Sequence, residues 1–115
     1  MKNYYLIAFL FLTSFVHAQI VDIPDANFKF QLVNTPCVDA NLDQIPETDA
    51  DTNNDGEIQV SEAEAITGGL VVPWGFIDPV EDKIDDLTGI ESFVNIQLLS
   101  IFGNDIQGPL DLTPN

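Results

Sequence analysis

Residues 51–62 read Asp51-Thr52-Asn53-Asn54-Asp55-Gly56-Glu57-Ile58-Gln59-Val60-Ser61-Glu62. Acids or amides stand at the first, third and fifth positions, glycine at the sixth and glutamate at the twelfth, which is the pattern of a twelve-residue calcium loop. A turn that supplies about six oxygen ligands to one hard cation leaves little freedom of sequence. Asp51, Asn53 and Asp55 can converge from one tight turn. Gly56 follows where the backbone needs a left-handed conformation that a Cβ resists. Glu57 would offer its backbone carbonyl, Gln59 would reach the ion directly or through water, and Glu62 would close the site with both carboxylate oxygens. Every donor is oxygen, with no imidazole or thiolate in the set, and this favours Ca2+ over zinc or copper. Asp, Asn and Gly are common turn residues, so only a match at every position, with apolar Ile58 at the eighth, carries weight.

Helices are expected on both sides of this loop, in the manner of an EF-hand. Upstream, residues 22–34 read as a short helix with Asp22 as N-cap, Pro24 in the first turn and Asp25 at the positive end of the helix dipole. Phe28, Leu32 and Val33 fall on one side of it. Downstream, Ser61-Glu62-Ala63-Glu64 reads as a capping box between Ser61 and Glu64, and Gly68-Gly69 stops the helix. Ala63 takes the thirteenth position, where such hands carry a bulky apolar residue, so this helix packs less deeply. Between Cys37 and Ala50, Asp39-Ala40-Asn41-Leu42-Asp43 repeats the acid–amide spacing twelve residues ahead of Asp51. Gln44, Pro46 and Ala50 stand where a second loop would want glycine, an apolar residue and glutamate, so the reading is a solvated acidic loop.

Beyond the loop, Leu70 to Val72 reads as a strand bounded by Pro73. Trp74 to Asp82 is irregular, with Trp74 and Phe76 covering the edge of the core. From Ile84 apolar residues recur at every third position: Ile84, Leu87, Ile90, Phe93, Ile96 and Leu99. An α-helix would carry that spacing off one face within two turns. It then changes to alternation at Leu99-Ser100-Ile101, followed by Asn104. A turn-rich arc leading into a short strand of form L-x-L-x-x-N is the mark of a leucine-rich repeat. Asn104 would turn inward to hydrogen-bond backbone groups that a tight coil leaves unpaired. Leu110 to Asn115 begins the same unit again.

The N-terminus has a basic start, an apolar run from Tyr4 to Val16 and small residues at Val16-His17-Ala18. These are the parts of a signal peptide, expected to be cleaved after Ala18, and the run is too short to span a membrane. Removing it leaves 97 residues carrying two lysines, Lys29 and Lys83, against nineteen acids, a net charge of −17. Such a surface repels nucleic acid and anionic membrane and attracts divalent cations. A hydrophobic content of 45% argues for folding in spite of the charge. Cys37 is the single cysteine, which excludes an intramolecular disulfide and favours a buried, inert thiol over an intermolecular bridge.

Taken together, the chain resembles secreted leucine-rich repeat proteins of Bacteroidota. The resemblance rests most on Ile23 to Lys29, Gly56 to Ala65 and Asp86 to Glu91, and covers most of residues 20–115. The acidic stretch at 38–50 and the insertion at 73–83 are longer than that family needs. The resemblance implies many further repeats, whereas one and a half are visible and about three are needed to bury their own faces. The expected fold class is therefore α+β: a short helical, EF-hand-like cap followed by the first one to two turns of a leucine-rich repeat solenoid. Residues 1–18 form the leader, 19–69 the cap with its loop at 51–62, and 70–115 the start of an incomplete solenoid.

The function expected is a calcium-stabilised N-terminal cap of a secreted or cell-surface protein that binds an extracellular protein or glycan. Its metal ligands would be Asp51, Asn53, Asp55, Glu57, Gln59 and Glu62, with affinity of about 10⁻⁴ to 10⁻³ M, as suits extracellular modules. The alternative is a calcium-dependent, dockerin-like docking module, which would want two symmetric loops. A calcium sensor is disfavoured by the single hand. Catalysis is not expected, because the chain beyond residue 18 has no histidine to activate a serine or cysteine.

Overall fold

The computed structural model describes residues 19–74 and 80–106, so the leader, Phe76 and the Leu110–Asn115 unit lie outside the described residues. Regular structure is sparse. Helix α1 spans Ala26–Asn34, strand β1 Val38–Asp39, helix α2 Val60–Ala65, strand β2 Gly69–Val71 and strand β3 Leu98–Ser100, with single 3₁₀ turns at Val80–Asp82 and Ile90–Ser92. The three strands form one sheet in the order β1-β2-β3. β1 runs antiparallel to β2, with Val38 opposite Leu70, and β2 runs parallel to β3, with Leu70 opposite Leu99. Among the described residues the class is α+β, with two helices and a three-stranded sheet. Among the described residues there is one parallel strand pair and no stack of successive turns such as a solenoid makes.

The cap of α1 lies three residues later than the sequence predicts, at Asp25 rather than Asp22. Asp25 Oδ1 accepts the N–H groups of Asn27 at 2.9 Å and Phe28 at 3.0 Å. Its other oxygen, Oδ2, accepts those of Asp85 at 2.9 Å and Asp86 at 3.0 Å. One carboxylate therefore closes the helix start and ties it to a segment sixty residues away. Asn27 adds to the tie, its Nδ2 donating to the carbonyls of Glu81 at 2.7 Å and Lys83 at 3.0 Å. Phe28 and Leu32 are fully buried, with Val33 packed against them, as their spacing requires.

The acidic stretch after α1 is largely exposed, as expected of a solvated loop, with Asp39 the buried exception among its acids. Val38 bridges Thr48 as well as β2, and Glu47 N–H donates to the Val38 carbonyl at 2.9 Å. Residues 39–47 are thereby closed into a loop at the sheet edge, with Asp39 fully buried. Gly68-Gly69 follows the end of α2 but serves a further purpose. A Cβ on Gly68 would stand 2.2 Å from the Asp39 carbonyl oxygen, so β1 can approach only a glycine there.

One core draws on both halves of the chain: Phe28, Leu32, Cys37, Ile58, Ala63, Leu70 and Val72 pack with Ile84, Leu87, Ile90 and Phe93. The every-third-residue spacing has a direct cause. Ile90, Ser92 and Phe93 donate their N–H groups to the carbonyls three residues earlier, at 2.9 to 3.1 Å, so the arc turns about once per three residues. Asn104 behaves as the sequence predicts: Oδ1 accepts the Ile84 N–H at 2.9 Å, while Nδ2 donates to the Val72 carbonyl at 2.6 Å and the Ile101 carbonyl at 3.2 Å. Parallel pairing runs on past β2 through Val72 N–H to Ser100 O, 2.9 Å, and Trp74 N–H to Phe102 O, 2.8 Å.

Candidate metal site

The 51–62 loop is built around three carboxylates that catch backbone amides, those of Asp51, Asp55 and Glu62. Asp51, only 2% exposed, accepts the Asp55 N–H on Oδ1 at 3.2 Å and the Gly56 N–H on Oδ2 at 2.9 Å. Asn53 Oδ1 shares the Asp55 N–H at 3.2 Å, and Asp55 Oδ1 accepts from Glu57 N at 2.9 Å. Each acceptor turns the chain back over the one before it. Asn54 and Gly56 make the reversal in the left-handed region, at φ 57° and 82°. The hydrogen bond from the Glu57 amide is the main reason the Asp55 carboxyl is held below its ordinary value, with smaller help from the Gln59, Asn53 and Asp51 side chains.

Glu62 reaches back across this turn from the first turn of α2. Its Oε1 accepts from Asn53 N and from Thr52 Oγ1, both at 3.0 Å. Its Oε2 accepts the Gln59 N–H at 3.0 Å. The capping residue of α2 is thus Gln59 with Glu62 as its partner, two residues earlier than the Ser61–Glu64 pair the sequence suggests. The shift arises because Glu62 is already anchored on the loop and can close the helix start with its second oxygen. The Gln59 side chain links two others, its Nε2 donating to Asp55 Oδ2 at 2.6 Å and its Oε1 accepting from Asn53 Nδ2 at 3.0 Å. The Glu57 side chain pairs with Lys29 of α1, with Nζ 2.6 Å from Oε2.

Asn53, Asp55 and Gln59 are therefore joined side chain to side chain, while Asp51 and Glu62 tie into the same loop through its backbone amides. Their carboxylates are not the most tightly gathered in the molecule. Among the described residues, Asp39, Asp43 and Glu47 form the set of three whose oxygens lie within 4.8 Å of one another.

That second cluster sits on a turn that copies the first bond for bond. Asp43 N–H donates to Asp39 Oδ1 at 3.2 Å and to Asn41 Oδ1 at 3.3 Å, Gln44 N–H to Asp39 Oδ2 at 2.6 Å, and Ile45 N–H to Asp43 Oδ1 at 2.9 Å. Leu42 and Gln44, at φ 63° and 67°, take the left-handed places of Asn54 and Gly56. A side chain in that region costs about 1–2 kcal/mol, which the four amide bonds offset. The repeated acid–amide spacing is the signal that marks this turn in the sequence. What the loop template does not contain is glutamine at the sixth position, or Glu47 supplying a carboxylate at the ninth. The turn has no counterpart of Glu62, since Ala50 stands at the twelfth position.

Cys37 is buried beneath these loops, and burial pushes its thiol up to about 12. It is an inert core residue. No helix among the described residues is long and apolar enough to cross a membrane. Compared with known proteins, the chain matches no family model, no curated protein and no solved structure.

Proposed function

We propose that this chain is a calcium-stabilised N-terminal cap of a secreted leucine-rich repeat protein, and that its partner is an extracellular protein or glycan. Calcium is structural in this reading. It would be held by Asp51, Asn53, Asp55 and Glu62, by the Glu57 carbonyl, and by Gln59 directly or through water. The observation that carries it is the reach of Glu62 across the loop onto Asn53 and Thr52. That contact brings the twelfth-position carboxylate over a turn already wound by Asp51 and Gly56. The donor set is all oxygen, as a hard cation requires.

The repeat assignment is supported by the parallel pairing of β2 with β3, by the arc that buries every third residue, and by Asn104 serving three backbone groups. A net charge of −17 beyond residue 18 speaks against nucleic acid as the partner.

The test is thermal melting with and without calcium. Millimolar Ca2+ should raise the melting temperature, Mg2+ should do much less because it sheds water reluctantly, and Glu62→Ala should reduce the calcium effect to what ionic strength alone gives. An equal shift in Glu62→Ala sinks the assignment.

The bond-for-bond likeness of the Asp39 and Asp51 turns favours a second reading, a dockerin-like docking module with paired loops. Binding stoichiometry separates the two: the cap takes one calcium per chain, and the paired module takes two.

A further inference from the structure

At its eighth position the 51–62 loop pairs with the N-terminal arm of the chain. The Ile58 carbonyl accepts the Val21 N–H at 2.8 Å, and the Val60 N–H donates to the Gln19 carbonyl at 2.8 Å. Together these make an antiparallel bridge centred on Ile20 and Gln59. Gln59 is also the residue whose N–H is held by Glu62 Oε2, so the bridge and the loop closure share one peptide.

The arm's other side faces the start of the arc. Val21 and Ile23 are 6% and 8% exposed. Gly89, at φ 107°, lies so close beneath them that a Cβ there would stand 2.8 Å from Ile23 Cγ1 and 2.9 Å from the Asp22 carbonyl oxygen. Two residues further on, Asp25 grips the Asp85 and Asp86 amides. No side chain of residues 84–90 is one of the loop's proposed ligands, yet both bodies rest on the same seven-residue arm.

We infer that residues 19–25 couple the cation loop to residues 84–90, so that calcium binding and seating of the arc strengthen each other. This rests on the calcium reading above and adds its regulation. A cation that fixes Glu62 and Gln59 holds the bridge, the bridge holds Val21, and Val21 with Ile23 forms the seat for Gly89. Coupling of this kind is reciprocal: if the seated arc tightens calcium by some factor, calcium tightens the seating by the same factor.

The experiment uses the leader-processed protein and calcium chloride as the probe. Titration calorimetry compares the unmodified protein with Val21→Pro, which removes the N–H that Ile58 takes, and with Gly89→Val, which lifts the arm from its other side. Neither substitution touches a proposed ligand, and each should weaken calcium about five-fold or more. Because Gly89→Val threatens folding itself, amide hydrogen exchange on the unmodified protein is the second measurement. Calcium should slow exchange at Val21 and Val60, and also at Asp85 and Asp86, which lie outside the loop. The coupling is overturned if the unmodified protein binds calcium while Asp85 and Asp86 exchange unchanged, or if folded Val21→Pro binds with undiminished affinity. A protein that gives no heat with calcium overturns the functional reading, and the coupling with it.

Discussion

Replacing Asp25 tests how a chain with so little regular structure holds its two halves together. The carboxylate receives four backbone N–H groups, two from α1 and two from Asp85 and Asp86. Loss of an N-cap of this kind costs about 1 kcal/mol. Hydrogen bonds to a charged group contribute about 1.5–3 kcal/mol when sheltered. The two distant ones are exposed, so water replaces much of what is lost and about 0.5 kcal/mol each is a fair value. Asp25→Ala should then destabilise by about 2 kcal/mol. In a domain of this size that lowers the melting temperature by about 8–16 °C.

Asp25→Asn divides the effect. Asparagine caps helices as well as aspartate does, but it has a single acceptor oxygen, so its NH2 would face the Asp85 and Asp86 donors. It should lose about 1 kcal/mol, half the effect of alanine. Urea unfolding followed by Trp74 fluorescence measures both variants. If Asp25→Asn is as stable as the unmodified protein while Asp25→Ala loses only a cap's worth, the link to Asp85 and Asp86 contributes nothing.

Asn104→Ala strands the Ile84 N–H and the Val72 carbonyl, both on fully buried residues, and should cost about 3 kcal/mol in the same unfolding assay. Gly56→Ala meets nothing within 4 Å and pays only for its φ of 82°, whereas Gly89→Ala also meets Ile23 and Asp22. The first should therefore cost about 1 kcal/mol and the second clearly more, and equal losses would contradict the packing at Gly89. The Cys37 thiol titrates near 9 in the open chain and at about 12 when buried. Stability from keeping it neutral is complete below about pH 9 and is lost as pH rises from there towards 12. Disulfide-exchange reagents at pH 8 should label Cys37 only as fast as the protein opens, and prompt labelling would show the thiol to be accessible.

The apolar pattern carried much of the fold into plain view. Phe28 with Leu32, and the triplet spacing from Ile84 to Phe93, are legible because burial follows the local turn of the chain. Asn104 was legible because an L-x-L-x-x-N strand end leaves backbone groups that an inward amide can serve. Capping is less legible, since Asp22 and Ser61 satisfy the local rules at least as well as Asp25 and Gln59. What selects Asp25 is a second pair of amides at Asp85 and Asp86, and what selects Gln59 is the anchoring of Glu62 on Asn53. Both are contacts between distant residues, which no window of sequence contains. The Asp39 turn is legible as a spacing, but Gln44, Pro46 and Ala50 depart from the loop pattern. Gln44 adopts the left-handed conformation there because Asp39, buried against β2, fixes its N–H.

Many of the acids of this chain are fasteners, and that bears on what calcium does. Asp25, Asp39, Asp51, Asp55, Glu62, Asp86 and Glu91 each accept at least one backbone N–H. They do for turns what ladders of peptide bonds do for helices and sheets. With nineteen acids the chain is strongly negative at neutral pH. Lys29 and Lys83 offset little of that charge. Repulsion among the remaining acids is long-ranged and is screened by any salt, over about 8 Å at physiological ionic strength. A stabilising effect of calcium is therefore not by itself a sign of the loop. Sodium chloride at matched ionic strength supplies the screening alone, and only the additional shift that calcium gives, absent in Glu62→Ala, belongs to the site. If sodium chloride reproduces the whole calcium effect, the 51–62 turn is a fastener like the others and the cation has no fixed place in it.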